Sequence, residues 1–210
     1  MTLAIDRLTV KRGTRTILDE VSLTVGAGEI VGVVGPNGCG KYTLLASIAG
    51  VLAPRDGRIT VAGASVWGAR SERARARHAL GYVPEGADPP GFLRASELWA
   101  LCATARACDP PPPALRAALG LAELGDLALE RMSLGQRRRA CLGAALLGPP
   151  KLLVLDEPDN GLDVARLAAL VTLLRDHAAA GGATILASHD AAWLDQLSAR
   201  RVELSVAPSS

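Results

Sequence analysis

The sequence predicts an α/β fold in which helices flank a mostly parallel sheet. Short apolar runs typical of buried strands alternate with helical stretches along most of the chain, and this order favours a parallel sheet. One apolar run, residues 29–34, leads directly into a glycine-rich turn and then a helical stretch over residues 43–49. Another, residues 152–157, ends in two carboxylates. Both features place polar groups at the carboxyl edge of the predicted sheet, where α/β proteins bind ligands.

The remaining elements follow from the period of the apolar residues. Residues 3–10 and 21–25 alternate between apolar and polar side chains, which predicts strands with one buried face. Further strands are expected at residues 58–62, 81–84, 151–156, 183–188 and 201–206. Helices are expected at residues 69–79, at 134–147, and around Leu167, Leu170, Val171 and Leu174. Residues 207–210 are expected to form a frayed tail.

The middle of the chain differs in character from both ends. Helical stretches at residues 94–106 and 113–121 are separated by the proline run of residues 110–113. We interpret this region as a small helical insertion. The expected division is therefore residues 1–85 for the first part of the core, 86–131 for the insertion, and 132–210 for the second part of the core.

Composition limits the class of protein. Of 210 residues, 49% are hydrophobic, enough for a sizeable core, and the formal net charge of +2 does not indicate a nucleic-acid surface. The N-terminus lacks the apolar stretch of a secretory signal, and no apolar run approaches the ~20 residues that cross a bilayer. The four cysteines have no metal-binding spacing. We expect a soluble protein with reduced thiols and no nucleic-acid partner.

A phosphate-binding loop is predicted where the run of residues 29–34 ends. The pattern G-x-x-x-x-G-K is formed by Gly35, Pro36, Asn37, Gly38, Cys39, Gly40 and Lys41. Its glycines let backbone N–H groups turn toward phosphate oxygens, and the N-terminus of the following helix adds a favourable dipole. The lysine would bridge the β- and γ-phosphates. A plain glycine turn is the alternative, which the strand–loop–helix context disfavours.

The position after the lysine departs from this pattern, which requires a short hydroxyl to bind Mg²⁺. Tyr42 stands there, and its hydroxyl lies too far from the backbone to take the place of a serine oxygen. Thr43 has a hydroxyl, but one residue further along a helix it points about 100° away. The sequence therefore predicts nucleotide binding at Lys41, Tyr42 and Thr43, with Mg²⁺ chemistry weakened.

Three further groups are candidates for the same site. Asp156 would hold Mg²⁺ and Glu157 would activate the attacking water, at the end of a strand; an acidic strand end in solvent is the alternative. His189 follows another strand and is a candidate sensor of the γ-phosphate. Ser133 and Gln136 form a predicted helix-capping box, and such a helix N-terminus also binds anions.

In order and spacing, these motifs resemble the ATP-binding cassette of ABC transporters over nearly the whole chain. The matching segments are residues 35–41 for Walker A, 81–85 for the Q-loop, 132–136 for the signature, 152–157 for Walker B, 160–163 for the D-loop, and His189 for the switch histidine. The resemblance implies a P-loop NTPase core with an N-terminal antiparallel β subdomain and a small helical insertion. It also implies ATP and Mg²⁺ as ligands.

The resemblance implies partners as well. A head-to-tail dimer would close Ser133, Gly135 and Gln136 of one cassette on ATP held by Lys41 of a second cassette. A membrane permease would be driven through the insertion, where apolar groups are supplied by Phe92, Leu93, Leu98 and Trp99. Packing of the insertion itself is the alternative for these side chains, above all for Trp99. The subunit would then be cytoplasmic, peripheral on the inner face of the cell membrane.

Several positions depart from the family pattern. Glu85 stands where a glutamine usually contacts Mg²⁺, and Leu134 replaces the first signature glycine. Arg12 falls where an aromatic ring usually stacks on adenine, and its guanidinium plane could stack instead. Tyr42 is the departure with most effect on chemistry.

Three interpretations are therefore compared. The first is an ATP-hydrolysing transporter subunit of exporter type, with some similarity to haem-exporter ATPases. The second is a cassette that binds nucleotide but barely hydrolyses it because Tyr42 displaces the metal ligand, and that works beside a competent partner in a heterodimer. The third, a DNA- or translation-linked ABC ATPase, is disfavoured because the sequence has no fused second cassette and no long coiled coil.

Overall fold

The structure is a computed structural model that describes residues 1–86 and 88–206. The tail predicted for residues 207–210 lies outside the described residues. The strands in the described part are, in chain order, β1 (Leu3–Arg12), β2 (Arg15–Val25), β3 (Ile30–Val34), β4 (Asp56–Val61), β5 (Ala64–Ser65), β6 (Leu80–Val83), β7 (Leu152–Asp156), β8 (Ala183–Ala187) and β9 (Arg200–Glu203).

The helices have the bounds α1 (Lys41–Ile48), α2 (Arg70–His78), α3 (Ala95–Arg106), α4 (Pro113–Leu119), α5 (Leu134–Ala145), α6 (Val164–Ala179) and α7 (Ala191–Gln196). A single 3₁₀ turn covers Leu129–Arg131. In the described ranges, no helix has both the length and the apolar character that a bilayer span requires.

The strands form two sheets. The first is antiparallel, in the order β2-β1-β4-β5, and the second is parallel, in the order β6-β7-β8-β3-β9. All five residues of β7 and of β8 are buried, as expected of parallel strands covered on both faces. The α/β fold and the antiparallel N-terminal sheet predicted from the sequence are confirmed.

The sheet order brings the predicted site together. In the centre of the parallel sheet, β8 lies between β7 and β3, so the carboxyl ends of these three strands are neighbours. Residues 35, 156–157 and 188–189 follow these ends or lie at them. The topology therefore places the glycine loop, the paired carboxylates and the histidine at one edge.

Two apolar cores cover the parallel sheet. One lies toward α1 and the antiparallel sheet and includes Leu44, Leu45 and Val154. The other lies toward α3, α5 and α6. It contains Trp99, which is 4% exposed and donates its indole N–H to the Ala140 carbonyl at 2.9 Å. Of the two interpretations of Trp99, packing of the insertion is therefore correct.

Two strand bounds differ from the sequence prediction by more than two residues, and the others by one or two at most. β2 begins at Arg15 instead of residue 21, because the turn at residues 13–14 lets the chain pair with β1 at once, with Arg12 opposite Arg15. β9 ends at Glu203 instead of residue 206. Its neighbour β3 ends at Val34, which pairs with Glu203, so the ladder has no further residues to pair with.

Candidate functional site

The glycine loop has the backbone geometry of an anion cradle. Gly35, Gly38 and Gly40 have φ angles of 151°, 79° and 107°. The left-handed φ angle of Gly40 disfavours a side chain there, and a Cβ would also lie 2.8 Å from a methyl carbon of the buried Leu18, which would have to move. Gly40 is the N-cap of α1 and offers no side-chain hydrogen bond to it. The first amides of this helix are thereby left for a ligand.

Lys41 lies at the floor of this loop. Its side chain is buried, and Nζ donates to the carbonyl of Gly35 at 2.8 Å and to that of Pro36 at 3.4 Å. Carbonyl dipoles solvate an ammonium group less well than anionic oxygens do. The lysine is therefore placed to exchange these contacts for phosphate oxygens.

Lys41 borders a cleft of about 500 Å³, which we call the P-loop cleft. The cleft is lined by Arg12, Ile17, Asn37, Gly38, Gly40, Lys41, Tyr42, Thr43, Glu85, Asp156, Glu157 and His189. Eleven of these residues were predicted from the sequence, and Ile17 was not. Gly35, Pro36 and Cys39 do not line the cleft; the Cys39 thiol is 1% exposed and packs beneath the loop.

The paired carboxylates are both buried, although they end a strand. Asp156 is 3% exposed and Glu157 is 4% exposed. Burial, with Glu85 and Glu157 nearby, raises the pKa of Asp156 to about 6, while Lys41 opposes the shift. Burial also raises the pKa of Glu157, and His189 opposes that shift. The acidic strand end in solvent, the alternative reading, is therefore wrong.

The residues around Asp156 fit a hard divalent cation. Its Oδ2 atom is buried and has no hydrogen-bond partner in the described part of the chain. Glu85 lines the same cleft. Oxygen donors of this kind are the ligands that Mg²⁺ prefers, and Mg²⁺ completes its shell with water and phosphate oxygens. Asp156 and Glu85 are thus the residues that would hold the metal of a nucleotide complex.

His189 contacts the carboxylate that would act as the base. Its Nε2 atom lies 3.2 Å from Oε1 of Glu157, and the histidine side chain is 58% exposed. Glu157 has a φ angle of 48°, an uncommon left-handed conformation for a non-glycine residue that recurs at functional sites. The contact gives the buried Glu157 carboxylate a defined partner in the P-loop cleft.

Tyr42 and Arg12 contact each other at the P-loop cleft. The Arg12 guanidinium carbon lies 5.6 Å from the centre of the Tyr42 ring, within the range of a cation–π contact. The Tyr42 side chain is 42% exposed. The arginine expected to stack on a base thus stacks on the tyrosine that replaces the metal-binding hydroxyl.

The signature residues lie in a different cleft. Ser133, Gly135 and Gln136 line a space of about 380 Å³ together with residues 161–163, and we call it the signature cleft. The predicted capping box is present: the Gln136 amide donates to Ser133 Oγ at 3.2 Å, and the Ser133 amide donates to Gln136 Oε1 at 2.9 Å. The signature motif therefore does not line the P-loop cleft of its own chain.

The arrangement just described defines a class: a P-loop protein whose carboxylates and histidine face a triphosphate site. Comparison with known proteins agrees with this class. The ABC transporter family model matches residues 18–160. The zinc import ATP-binding protein ZnuC of Cereibacter sphaeroides is 38% identical over 189 residues, which are 90% of this chain and 72% of ZnuC.

A second relative is named for export instead of import. The cytochrome c biogenesis ATP-binding export protein CcmA of Gluconobacter oxydans is 37% identical over 187 residues, covering 89% of this chain and 81% of CcmA. Other relatives are longer proteins, of which the chain spans 22% and 36%. A solved structure of an ATP binding subunit of an ABC transporter has a TM-score of 0.89 at 25% identity, covering 100% of this chain and 90% of that chain.

The chain therefore belongs to the ABC transporter family, as an ATP-binding subunit. Subunits of this kind are ATPases that bind ATP together with Mg²⁺, and the P-loop cleft is the candidate site for both.

Proposed function

We propose that this chain hydrolyses ATP in the P-loop cleft and powers a separate membrane permease by closing with a second cassette. The supporting observation is that Lys41, Asp156, Glu157 and His189 border one cleft, while Ser133 borders another. A site split in this way is completed when two chains meet head to tail, with Ser133 of one chain facing the phosphates held by Lys41 of the other.

Within the cleft, the residues have distinct roles. Lys41 releases the loop carbonyls and binds the β- and γ-phosphates. Mg²⁺, when bound at Asp156 and Glu85, neutralises charge on the phosphate oxygens. Glu157 takes the proton of the attacking water, and its raised pKa gives it more affinity for that proton than an exposed glutamate has. His189 holds the Glu157 carboxylate in position and can report the γ-phosphate through the same contact.

A docking surface for the permease lies beside Glu85. A cleft of about 240 Å³ there is lined mostly by apolar groups, among them Pro84, Pro89 and Leu98. Phe92 nearby in sequence is 76% exposed. We assign this surface to a short permease helix, and the cassette to the cytoplasmic face of the membrane.

The direction of transport is inferred from the helical insertion and from the relatives. The compact helical insertion and the similarity to CcmA favour an exporter, while the similarity to ZnuC, a zinc import protein, favours the opposite direction. We propose the exporter assignment. The alternative function, a hydrolysis-impaired cassette in a heterodimer, rests on Tyr42.

The first prediction concerns Lys41. Replacing it by Ala leaves several phosphate charges facing only backbone dipoles in a half-buried site. We expect at least tenfold weaker ATP binding by calorimetry and no phosphate release above background. Cys39→Ala is the matched control, because the thiol lies in the same loop but packs away from the cleft. Equal ATP affinity of the parent and Lys41→Ala would refute the function of this loop.

A further inference from the structure

Three consecutive arginines follow the signature glutamine on α5, and the middle one differs from its neighbours. Arg137 forms an ion pair with Asp88, with 3.7 Å between Nη1 and Oδ1. Arg139 donates to the carbonyls that end α4 and pairs with Glu123 at 3.1 Å. Arg138 instead points into the molecule and is 1% exposed.

Arg138 has fewer partners than a buried cation requires. Its Nη2 group donates to the backbone carbonyl of Glu85. Its Nε and Nη1 atoms are buried and have no hydrogen-bond partner among the described residues. Unpaired donors on a buried guanidinium are costly, since the charge has lost its water and gained little in return.

Four carboxylates act electrostatically on this guanidinium. Burial lowers the pKa of Arg138, and Asp159 is the carboxylate that opposes the shift most, ahead of Glu85, Glu157 and Asp156. Asp159 is itself incompletely paired: Oδ2 accepts from Ser188 Oγ at 2.9 Å, while Oδ1 is buried and without a hydrogen-bond partner in the described part of the chain. An unpaired cation and an unpaired carboxylate oxygen thus lie in one interior, without the direct contact of an ion pair.

We propose that Arg138 is a positioning residue whose guanidinium pairs with Asp159 when nucleotide occupies the P-loop cleft. The contacts on each side show the route. The Glu85 side chain borders the cleft and its carbonyl holds Arg138, so a ligand that moves residue 85 moves the guanidinium. Asp159 is bonded to Ser188, the residue before His189. The pair would join the start of the signature helix to the segment that contacts Glu157.

This inference rests on nucleotide binding as proposed above, and it adds a link between the P-loop cleft and the signature cleft. α5 begins at Leu134, directly after Ser133. A pair formed one helical turn inside α5 would therefore fix the orientation of the serine that faces a second chain. The competing interpretation is that Arg138 clamps the loop at residue 85 permanently, whether or not nucleotide is present.

A double-mutant cycle separates the two interpretations. Affinity for a non-hydrolysable ATP analogue with Mg²⁺ is measured calorimetrically for the parent, Arg138→Gln, Asp159→Asn and the double variant. We expect each single change to weaken binding about tenfold and the double variant to bind no more weakly than the weaker single variant. The proposed pair would be overturned if the two single losses of affinity multiply in the double variant, or if the single changes leave the affinity unchanged.

Melting temperatures without nucleotide complete the test. The coupling between the two positions should be clearly smaller there than with the analogue, because without nucleotide Asp159 acts on the Arg138 guanidinium only at a distance. Coupling of equal size in both conditions means a permanent clamp and overturns the proposal. If Arg138→Gln does not fold, Arg138→Lys with Asp159→Asn gives the same cycle, since lysine keeps the charge but loses the guanidinium fork.

Two reference variants make the result specific. Arg137→Gln removes the neighbouring arginine, whose ion pair is with Asp88, and should leave affinity within twofold of the parent. Lys41→Ala reports on the proposed function itself. If Lys41→Ala binds the analogue as the parent does, nucleotide binding at the loop is refuted. If it loses binding while the cycle shows no coupling, only the Arg138–Asp159 pair is refuted.

Discussion

At the scale of single residues, Tyr42 has the greatest effect on the chemistry. The ring borders the P-loop cleft and lies under the Arg12 guanidinium. A phenol oxygen cannot reach the position of a serine oxygen, so a bound Mg²⁺ would lack a side-chain ligand from this residue. The phosphates would then be held less rigidly, and phosphoryl transfer depends on positioning. A loss of 3 kcal/mol of transition-state stabilisation slows hydrolysis about 150-fold.

Replacing Tyr42 by Ser should restore a direct metal ligand. We predict at least a tenfold rise in steady-state phosphate release, with Mg²⁺ required at lower concentration in a titration. Tyr42→Phe is the matched control, since it keeps the ring and adds no ligand, and it should remain slow. A parent that already hydrolyses several ATP per second, with no gain in Tyr42→Ser, would remove the hydrolysis-impaired alternative.

Asp156 makes stability depend on pH. Its pKa is about 6 in the folded chain and about 4 when unfolded, so between these values the folded state keeps a proton that the unfolded state has lost. The stability that the folded state gains from this proton is fully present below pH 4 and is lost as pH rises through 6. The difference of about two between the folded and unfolded pKa values corresponds to about 3 kcal/mol of unfolding free energy. In urea unfolding without nucleotide, the free energy of unfolding of Asp156→Asn should equal that of the parent near pH 4 and exceed it by about this amount at pH 7. A difference in unfolding free energy that does not change with pH would contradict the raised pKa of Asp156.

At the scale of elements, the start of α5 is packed against the D-loop through two glycines. A Cβ at Gly135 would lie 2.1 Å from the carbonyl oxygen of Gly161. That oxygen belongs to backbone and cannot rotate away as a side chain would. The signature helix and the D-loop are therefore held at backbone contact, and any side chain at residue 135 separates them.

Gly135→Ala should accordingly destabilise the fold and lower hydrolysis. Overpacking of this kind costs about 1–3 kcal/mol, which lowers the melting temperature by roughly 2–12 °C in a chain of this size. Gly125→Ala is the control, because a Cβ there meets no atom within 4 Å. Both variants are followed by calorimetric melting and phosphate release. Equal melting temperatures and equal phosphate release of the two variants would mean that the close approach of Gly135 to Gly161 has no consequence for stability or hydrolysis.

The elements could be predicted where local pattern and tertiary environment agree. The buried run of β7, the capping box of α5 and the glycine loop were readable because each is a short sequence signal with a local physical cause. Ile17 was missed because it reaches the cleft from β2, whose early start depends on pairing with β1. The role of Arg138 was missed because a run of three arginines does not reveal which side chain points inward.

At the scale of the whole molecule, we propose that the two clefts are halves of different sites. The P-loop cleft has the lysine, the carboxylates and the histidine, and the signature cleft has Ser133 at a helix N-terminus. A helix N-terminus stabilises negative charge, so a second chain that presents Ser133 to bound phosphates completes the site. Domain limits at residues 85–86 and 131–132 remain predictions.

The most direct test of this account is the mass of Glu157→Gln in solution with ATP and Mg²⁺. The change keeps the shape of the side chain, removes the base that starts hydrolysis, and removes a negative charge that faces the γ-phosphate. Light scattering should give twice the monomer mass with ATP and the monomer mass without it, and adding Lys41→Ala should abolish the dimer. A variant that stays monomeric at high protein and ATP concentration would contradict the closing of two copies on ATP.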